Sequence, residues 1–183
     1  MIIEARRGLP ASPFAFRRTS LSPWAPAFSA DPDLGVLGNA LSARVAEATR
    51  MTAAAQVSAG LLVFASQQFA RPFHDVHYLT SRAIARFLIT GQGTTERERN
   101  FIGRVGMMGA RYGLSVATLT RSYFLWRDTN LRILNEEVDR LGIGQAVAHV
   151  ARKIISSSAE SGIKRMVRAY DLQEKETEVL LPR

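Results

Sequence analysis

The sequence predicts an all-α protein, either a globin-like fold or a multi-helix bundle of about six helices that ends in a long C-terminal connecting helix. Apolar residues recur at three- and four-residue spacings through most of residues 37–170, which is the pattern of helices with one buried face. Glycine and proline separate these stretches with short links, and no stretch shows a convincing strand pattern. The 183 residues suffice for one domain with a sizeable core.

Residues 1–34 predict a flexible, proline-rich tail. This stretch contains five of the seven prolines, and proline at that density prevents regular helix. Its four aromatic residues, Phe14, Phe16, Trp24 and Phe28, could dock on a partner or on the domain itself. The composition favours a mostly disordered leader instead.

Residues 35–70 predict one amphipathic helix followed by a buried one. The first begins at about residue 34 or 39, and Leu37, Leu41 and Val45 lie on one face of it. Residues 51–69 are rich in alanine and nearly uncharged, which predicts burial on most sides. Gly60 marks either a break between helices or a close helix crossing.

Pro72 predicts a helix boundary. The residue before a proline avoids the helical conformation, so we expect one helix to end at Arg71 and the next to hold Pro72 in its first turn. This next helix runs to about Thr90, and a Gly-Gln-Gly stretch closes it at residues 91–93.

Residues 94–141 predict two helices joined by a glycine turn. Thr94 and Thr95 are candidate N-caps of the first helix, Gly113 ends it, and Ser115 caps the second. The predicted buried stripe of the first helix consists of Phe101, Val105, Met108 and Tyr112. The same helix contains glycine at positions 103, 106 and 109. Because glycine is costly inside a helix, this repeat predicts that another backbone packs close.

The last predicted helix runs from Gln145 to about Tyr170, with a possible kink at the serines 156–158. We therefore divide the chain into the tail of residues 1–34, a helical sensor or dimerisation domain at 35–142, and a signalling connector helix at 143–183. The charged stretch after Tyr170 continues the helix without a cap, so we expect the chain to be cut from a larger protein.

Composition limits the classes of function. The chain has no cysteine, which excludes disulfides, thiolate metal sites and cysteine nucleophiles. Its net charge of +8 raises the alternative of a basic nucleic-acid-binding protein, but the arginines are spread over several helices instead of clustering. No apolar stretch reaches the roughly 20 residues of a membrane span, and no secretory signal is recognisable. We expect a cytoplasmic protein without membrane or nucleic-acid partners.

The three histidines are the only candidates for a haem or metal site. His74 and His77 are spaced i, i+3 on one predicted helix, so both can face one pocket. His149 lies alone in the last helix. Ordinary packed or surface histidines are the commoner explanation at such positions, so we expect no cofactor and keep haem as the alternative. No nucleophile, phosphate-loop or paired-carboxylate pattern is recognisable, which predicts a protein that is not an enzyme.

One stretch resembles a known family. The Tyr112-Gly113-Leu114-Ser115 turn, with Leu119, Tyr123 and Trp126 on the helix after it, is similar to the N-terminal non-haem globin-like input domain of RsbR-type stressosome proteins. Similar modules precede the output domains of PucR-like transcription regulators. The resemblance covers residues 41–141 and implies a domain that dimerises and signals through its last helix to a C-terminal output domain.

The resemblance leads to a functional hypothesis. We expect the sensory input domain of a bacterial signalling protein, whose output domain is a diguanylate cyclase, a kinase or a transcription regulator. It would act as a homodimer, without catalysis, by movement of helices. The predicted ligand pocket is lined by Tyr112, Tyr123, Trp126 and Asn130. The haem-binding globin-type sensor and the nucleic-acid-binding protein are the alternatives.

Overall fold

A computed structural model describes residues 31–180, without the side chains of Ala65, Gln67 and residues 178–180. Over these residues the chain is all-α and contains no strand, which confirms the predicted fold class. Most of the tail predicted for residues 1–34 lies outside the described residues. The six α-helices are α1 (Pro32–Ala43), α2 (Val45–Ser58), α3 (Gln67–Thr90), α4 (Glu96–Arg111), α5 (Val116–Leu141) and α6 (Gln145–Leu180), with a short 3-10 helix, Leu62–Ala65, before α3.

Helix ends follow the local signals of the sequence. The Thr95 hydroxyl accepts a hydrogen bond from the Glu98 amide at 3.2 Å, and the Glu98 carboxylate accepts one from the Thr95 amide at 2.7 Å. This reciprocal pair is a capping box and begins α4. Ser115 caps α5 in the predicted way, and Gly142 ends it in the left-handed conformation, with φ of 65°.

Two predicted helix boundaries in residues 35–90 are wrong. The expected helix around Val45 is broken at Arg44, whose guanidinium pairs with Glu47 at 2.6 Å and with Glu137 of α5 at 3.0 Å. The break between helices, one of the two alternatives predicted at Gly60, is present, and Gly60 has a φ of 77°. However, α3 begins at Gln67, so Pro72 lies inside that helix and does not start it.

Aromatic burial explains why α3 tolerates Pro72. A proline inside a helix costs about 3 kcal/mol, because it removes one backbone hydrogen bond and crowds the preceding turn. Phe69 and Phe73 flank Pro72 and are 5% and 1% exposed. Burial of one such side chain contributes about 1.5–3 kcal/mol. Anchoring two phenylalanines from one continuous helix therefore offsets the cost of the proline.

Another backbone packs close to the glycine repeat of α4, as predicted, and the contact is at Gly106. A β-carbon added at Gly106 would lie 2.1 Å from the Met166 carbonyl oxygen, so the two backbones touch there. At Gly109 it would meet the Leu119 side chain at 2.5 Å. The predicted stripe of α4 is correct at Val105, which is buried, and in part at Phe101 and Met108, which are half-buried against the core. It is wrong at Tyr112, which is 52% exposed, and it missed the buried Ile102, Gly106 and Gly109. The helix turns its glycines inward, since only glycine allows this close approach to α6.

Helix α5 contributes the largest core side chains, and α6 packs along both α4 and α5. Tyr123, Trp126 and Leu134 of α5 are 0% exposed, as are Ala151 and Met166 of α6. The predicted connector helix therefore forms a wall of the bundle and stays helical through residues 156–158. The division of the chain at residue 142 stays a prediction. Among residues 31–180, no helix has an apolar stretch long enough to cross a membrane.

Candidate ligand-binding sites

The four residues of the predicted pocket occupy two different environments. Tyr123 and Trp126 are fully buried with ring centroids 6.3 Å apart, and the Asn130 amide donates to the Trp126 carbonyl oxygen at 2.8 Å. Tyr112 lies at the surface, where its ring edge contacts Phe69 with centroids 5.2 Å apart. Tyr123, Trp126 and Asn130 are thus packing residues of the core, and a pocket shared with Tyr112 stays a prediction.

A buried polar network surrounds these core aromatic rings. The Gln56 amide nitrogen donates to His77 Nε2 at 2.9 Å and to the Ser122 hydroxyl at 2.7 Å. The Trp126 indole N–H donates to the Ser81 hydroxyl at 2.9 Å. The network thereby joins α2, α3 and α5 through polar groups inside the core.

The hydrogen bonds of His77 determine its chemical character. Since Nε2 accepts from Gln56, the proton of the neutral ring belongs on Nδ1. Burial, with a smaller effect of nearby His74, lowers the pKa of His77 to about 3, so the ring is neutral near pH 7. The lone pair of Nε2, the one ring nitrogen that can accept, already accepts the hydrogen bond from Gln56. In this arrangement His77 offers an N–H donor and does not fit the role of a haem or metal ligand.

Two buried side-chain polar atoms have no hydrogen-bond partner among the described residues, namely His77 Nδ1 and Tyr123 Oη. The two rings meet edge to face, with centroids 5.9 Å apart. Burial raises the pKa of Tyr123, so its hydroxyl stays protonated. The Tyr123 ring also packs on α6, where a β-carbon added at Gly162 would lie 2.8 Å from it. Unpaired buried polar groups lower the stability of a folded protein, so the requirements of folding do not explain why they are present here.

The histidines do not converge on one centre. His74 and His77 line one cavity of about 400 Å³ together with Gln56, Phe64 and Phe73, as their spacing predicts. His149 lies on another surface, beside Arg152 and Glu160. Between residues 31 and 180, no group of three or more histidines and carboxylates could hold a metal ion.

The second cavity is a groove of about 440 Å³ between α3, α4 and α6. The groove is lined by both apolar and polar residues. The apolar residues are Ala83, Ile84, Phe87, Ile102 and Ile154, and the polar ones include Thr80, Ser157, Ser158, Ser161, Arg99 and Arg165. A groove of this volume, apolar with a few polar groups, has the size and character of small-molecule sites in other proteins. We call it the α6 groove.

The α6 groove carries positive charge that no carboxylate within residues 31–180 neutralises. The carboxylate of Glu98, next to Arg99 in sequence, is engaged by Arg86 at 2.7 Å and 2.9 Å. This pairing and the capping bond to Thr95 hold the pKa of Glu98 at about 2. Arg99 donates to the Thr94 backbone carbonyl oxygen. Partial burial, and the charges of Arg99 and Arg168, lower the pKa of Arg165, which pairs with no carboxylate of the described residues.

The sequence alone did not single out the groove residues. Arg99 and Arg165 belonged to the dispersed arginines, and the serines appeared only as a weak spot in the helix. The available signal was their helical spacing, because Ser158, Ser161 and Arg165 are separated by three and four residues and share a face of α6.

Comparison with known proteins adds no assignment. No family model, no curated protein and no solved structure matches this chain. The resemblance to RsbR-type input domains therefore rests on residues 112–115, Leu119, Tyr123 and Trp126. In the structure these residues form the turn between α4 and α5 and the buried face that follows it.

Proposed function

We propose that this chain is a non-catalytic regulatory domain that binds a small molecule in the α6 groove and passes the bound state on through α6. One observation carries the proposal. Six residues of the groove, from Ile154 to Arg165, belong to α6, and the remainder belong to α3, α4 and the link between them. A ligand in the groove therefore touches α6 and the rest of the bundle at the same time.

Such a ligand would bias the position of α6. A ligand shifts an equilibrium between two helix arrangements by the difference in its affinity for them, and small helix shifts are a common form of this response. Helix α6 extends beyond the core, because residues 174–177 are exposed after the buried Gln173 and the helix continues to Leu180. Seven further residues amount to roughly 10 Å of helix, which is enough for a partner to detect the shift.

On the resemblance to bacterial input domains, we further propose a cytoplasmic homodimer whose α6 contacts an output domain. That domain would be a diguanylate cyclase, a kinase or a transcription regulator. The dimer is tested by measuring the mass of the purified protein by light scattering across a concentration series. A monomer at all concentrations would refute this part of the proposal and leave ligand binding in the groove open to its own test.

The main test combines a ligand search with amide hydrogen exchange. Metabolites that raise the melting temperature are selected, and exchange is then compared with and without each ligand. We expect slower exchange in peptides of α6 and α3 and no change in α1, which has no residue in the groove. The proposal fails if ligands that bind leave the exchange of α6 unchanged.

A matched pair of variants locates the effect. Ser161→Phe fills the groove from α6 and should abolish both ligand binding and the change in hydrogen exchange. Lys164→Phe places the same side chain at an exposed position of α6 outside the groove and should preserve both. Equal loss in the two variants would place the ligand elsewhere.

A further inference from the structure

We infer that the ligand of the α6 groove is an anionic amphiphile, namely a monocarboxylate or phosphate monoester with an aliphatic or aromatic body. The inference rests on the proposed function for its site and adds the chemical class of the ligand. Three features of the groove carry it: two arginines that pair with no carboxylate of the described residues, serine and threonine hydroxyl groups, and several apolar side chains.

The two arginines define the charge of the ligand. Arg99 and Arg165 come from α4 and α6 and line the same cavity. Two like charges held near each other repel, unless an anion lies between them. Glu98, the carboxylate nearest to Arg99 in sequence, is already engaged by Arg86. Guanidinium groups bind carboxylates and phosphates through paired hydrogen bonds, so an acidic headgroup would complete this arrangement.

The hydroxyl groups favour an oxygen-rich headgroup. Ser161 lines the groove one helical turn before Arg165, and Ser157 and Ser158 line it about two turns before. Each hydroxyl can donate one hydrogen bond to an anionic oxygen without adding charge. The set therefore suits a group with two or three acceptor oxygens, which both a carboxylate and a phosphate monoester provide.

The apolar lining of the groove defines the body of the ligand. Ile84, Phe87 and Ile102 line the groove together with Ile154 on α6. The three isoleucines are 4–7% exposed and Phe87 is half-buried, so Phe87 offers most of the apolar surface that a ligand can cover. Inorganic phosphate or acetate would leave that surface in contact with water. An aliphatic or aromatic body that covers it contributes about 0.8 kcal/mol for each buried methylene. The groove thus matches a molecule with a charged end and an apolar end.

The test uses four probes that separate charge from apolar body. Octanoate has both features, octanol has only the chain, acetate has only the charge, and octylammonium has the chain with the opposite charge. Dissociation constants are measured by calorimetry at low ionic strength. We expect octanoate to bind about tenfold or more tightly than each of the other three, since a charge-assisted hydrogen bond and several buried methylenes each exceed 1.4 kcal/mol. Octyl phosphate repeats the test with the other headgroup, and tight binding of either anion supports the inference.

A matched pair of arginine variants assigns the headgroup. Arg165→Gln should weaken octanoate binding about tenfold or more. Arg168→Gln removes an equal charge one turn further along α6, outside the groove, and should weaken binding less than Arg165→Gln because Arg168 does not line the groove and contributes only its charge, without a hydrogen bond to the headgroup. Equal weakening by the two variants would indicate attraction to a basic surface and would overturn the inference.

The outcomes separate the ligand class from the proposed function. If octanol binds as tightly as octanoate, or neither anion binds, the ligand class is wrong, while a different ligand that alters exchange in α6 would still support the proposed function. If octanoate binds through Arg165 but leaves exchange in α6 unchanged, the ligand class stands and the regulatory function fails.

Discussion

Protonation of His77 should destabilise this protein at a pH at which its carboxylates are still ionised. The ring is 2% exposed and accepts a hydrogen bond from Gln56 on the nitrogen that would take up the proton. Burial lowers the pKa of His77 from 6.5 to about 3. Below pH 6.5 the unfolded chain therefore binds a proton that the folded chain does not, and the free energy of unfolding falls as the pH falls.

The magnitude follows from the pKa difference. One pKa unit corresponds to about 1.4 kcal/mol. At pH 5 the pH lies about 1.5 units below the pKa of the unfolded ring, which is therefore protonated, while the folded ring is still neutral. The free energy of unfolding is therefore about 2 kcal/mol lower than at pH 7. The loss reaches about 4 kcal/mol near pH 3, where the folded ring is itself half protonated. The Glu98 carboxylate, with its pKa near 2, contributes stability above pH 4.5 and loses it only at lower pH, outside the range from pH 7 to pH 5.

Urea unfolding at pH 7, 6 and 5 measures the effect. The wild-type protein should lose about 2 kcal/mol across this range, and His77→Gln should show almost no dependence on pH although it is less stable overall. His74→Gln is the control, since the His74 side chain is half-exposed and lies on the same helix. It should retain the wild-type dependence. A pH dependence that survives in His77→Gln, or its absence in the wild-type protein, would refute the assignment.

Three further substitutions, with Gly103→Ala as a control for the first, test the packing and a helix cap by urea unfolding at pH 7. Gly106→Ala should cost about 3 kcal/mol because its β-carbon overlaps the Met166 carbonyl oxygen, whereas Gly103→Ala, with its nearest contact at 3.8 Å, should be neutral or stabilising; equal costs would contradict the close contact of backbones. Tyr123→Phe should leave stability unchanged or raise it, since it removes a buried hydroxyl without a partner, and a loss above about 1 kcal/mol would reveal a hydrogen bond to that hydroxyl. Thr95→Ala should cost about 1 kcal/mol through loss of the capping box, and no change would mean that the box does not stabilise α4.

Local signals in the sequence were sufficient for three helix ends and for the glycine contact. Thr95, Ser115 and Gly142 act through residues within one turn, so the chain around them determines their conformation. Gly106 was informative for a related reason. A glycine inside a helix loses stability locally, and its presence therefore indicates a contact that requires it.

Non-local contacts account for the errors. The proline rule failed at Pro72 because two flanking phenylalanines are buried by distant parts of the bundle, and their burial outweighs a local preference. The polar network joins Gln56, His77 and Ser122 across separations of 21 and 45 residues. Nothing in the spacing of such residues shows that they meet. The same holds for Arg99 and Arg165, which are 66 residues apart in the sequence.

The geometry of the α6 groove depends on the glycine contact at Gly106. Met166, whose carbonyl oxygen touches Gly106, directly follows Arg165 in α6. The contact therefore holds the backbone of α6 against α4 at the position from which Arg165 reaches the groove. A larger residue at 106 would push α6 outward at this point and carry the guanidinium away from Arg99. Gly106 thus does more than allow dense packing, since it sets the distance between the two guanidinium groups that we propose bind the ligand.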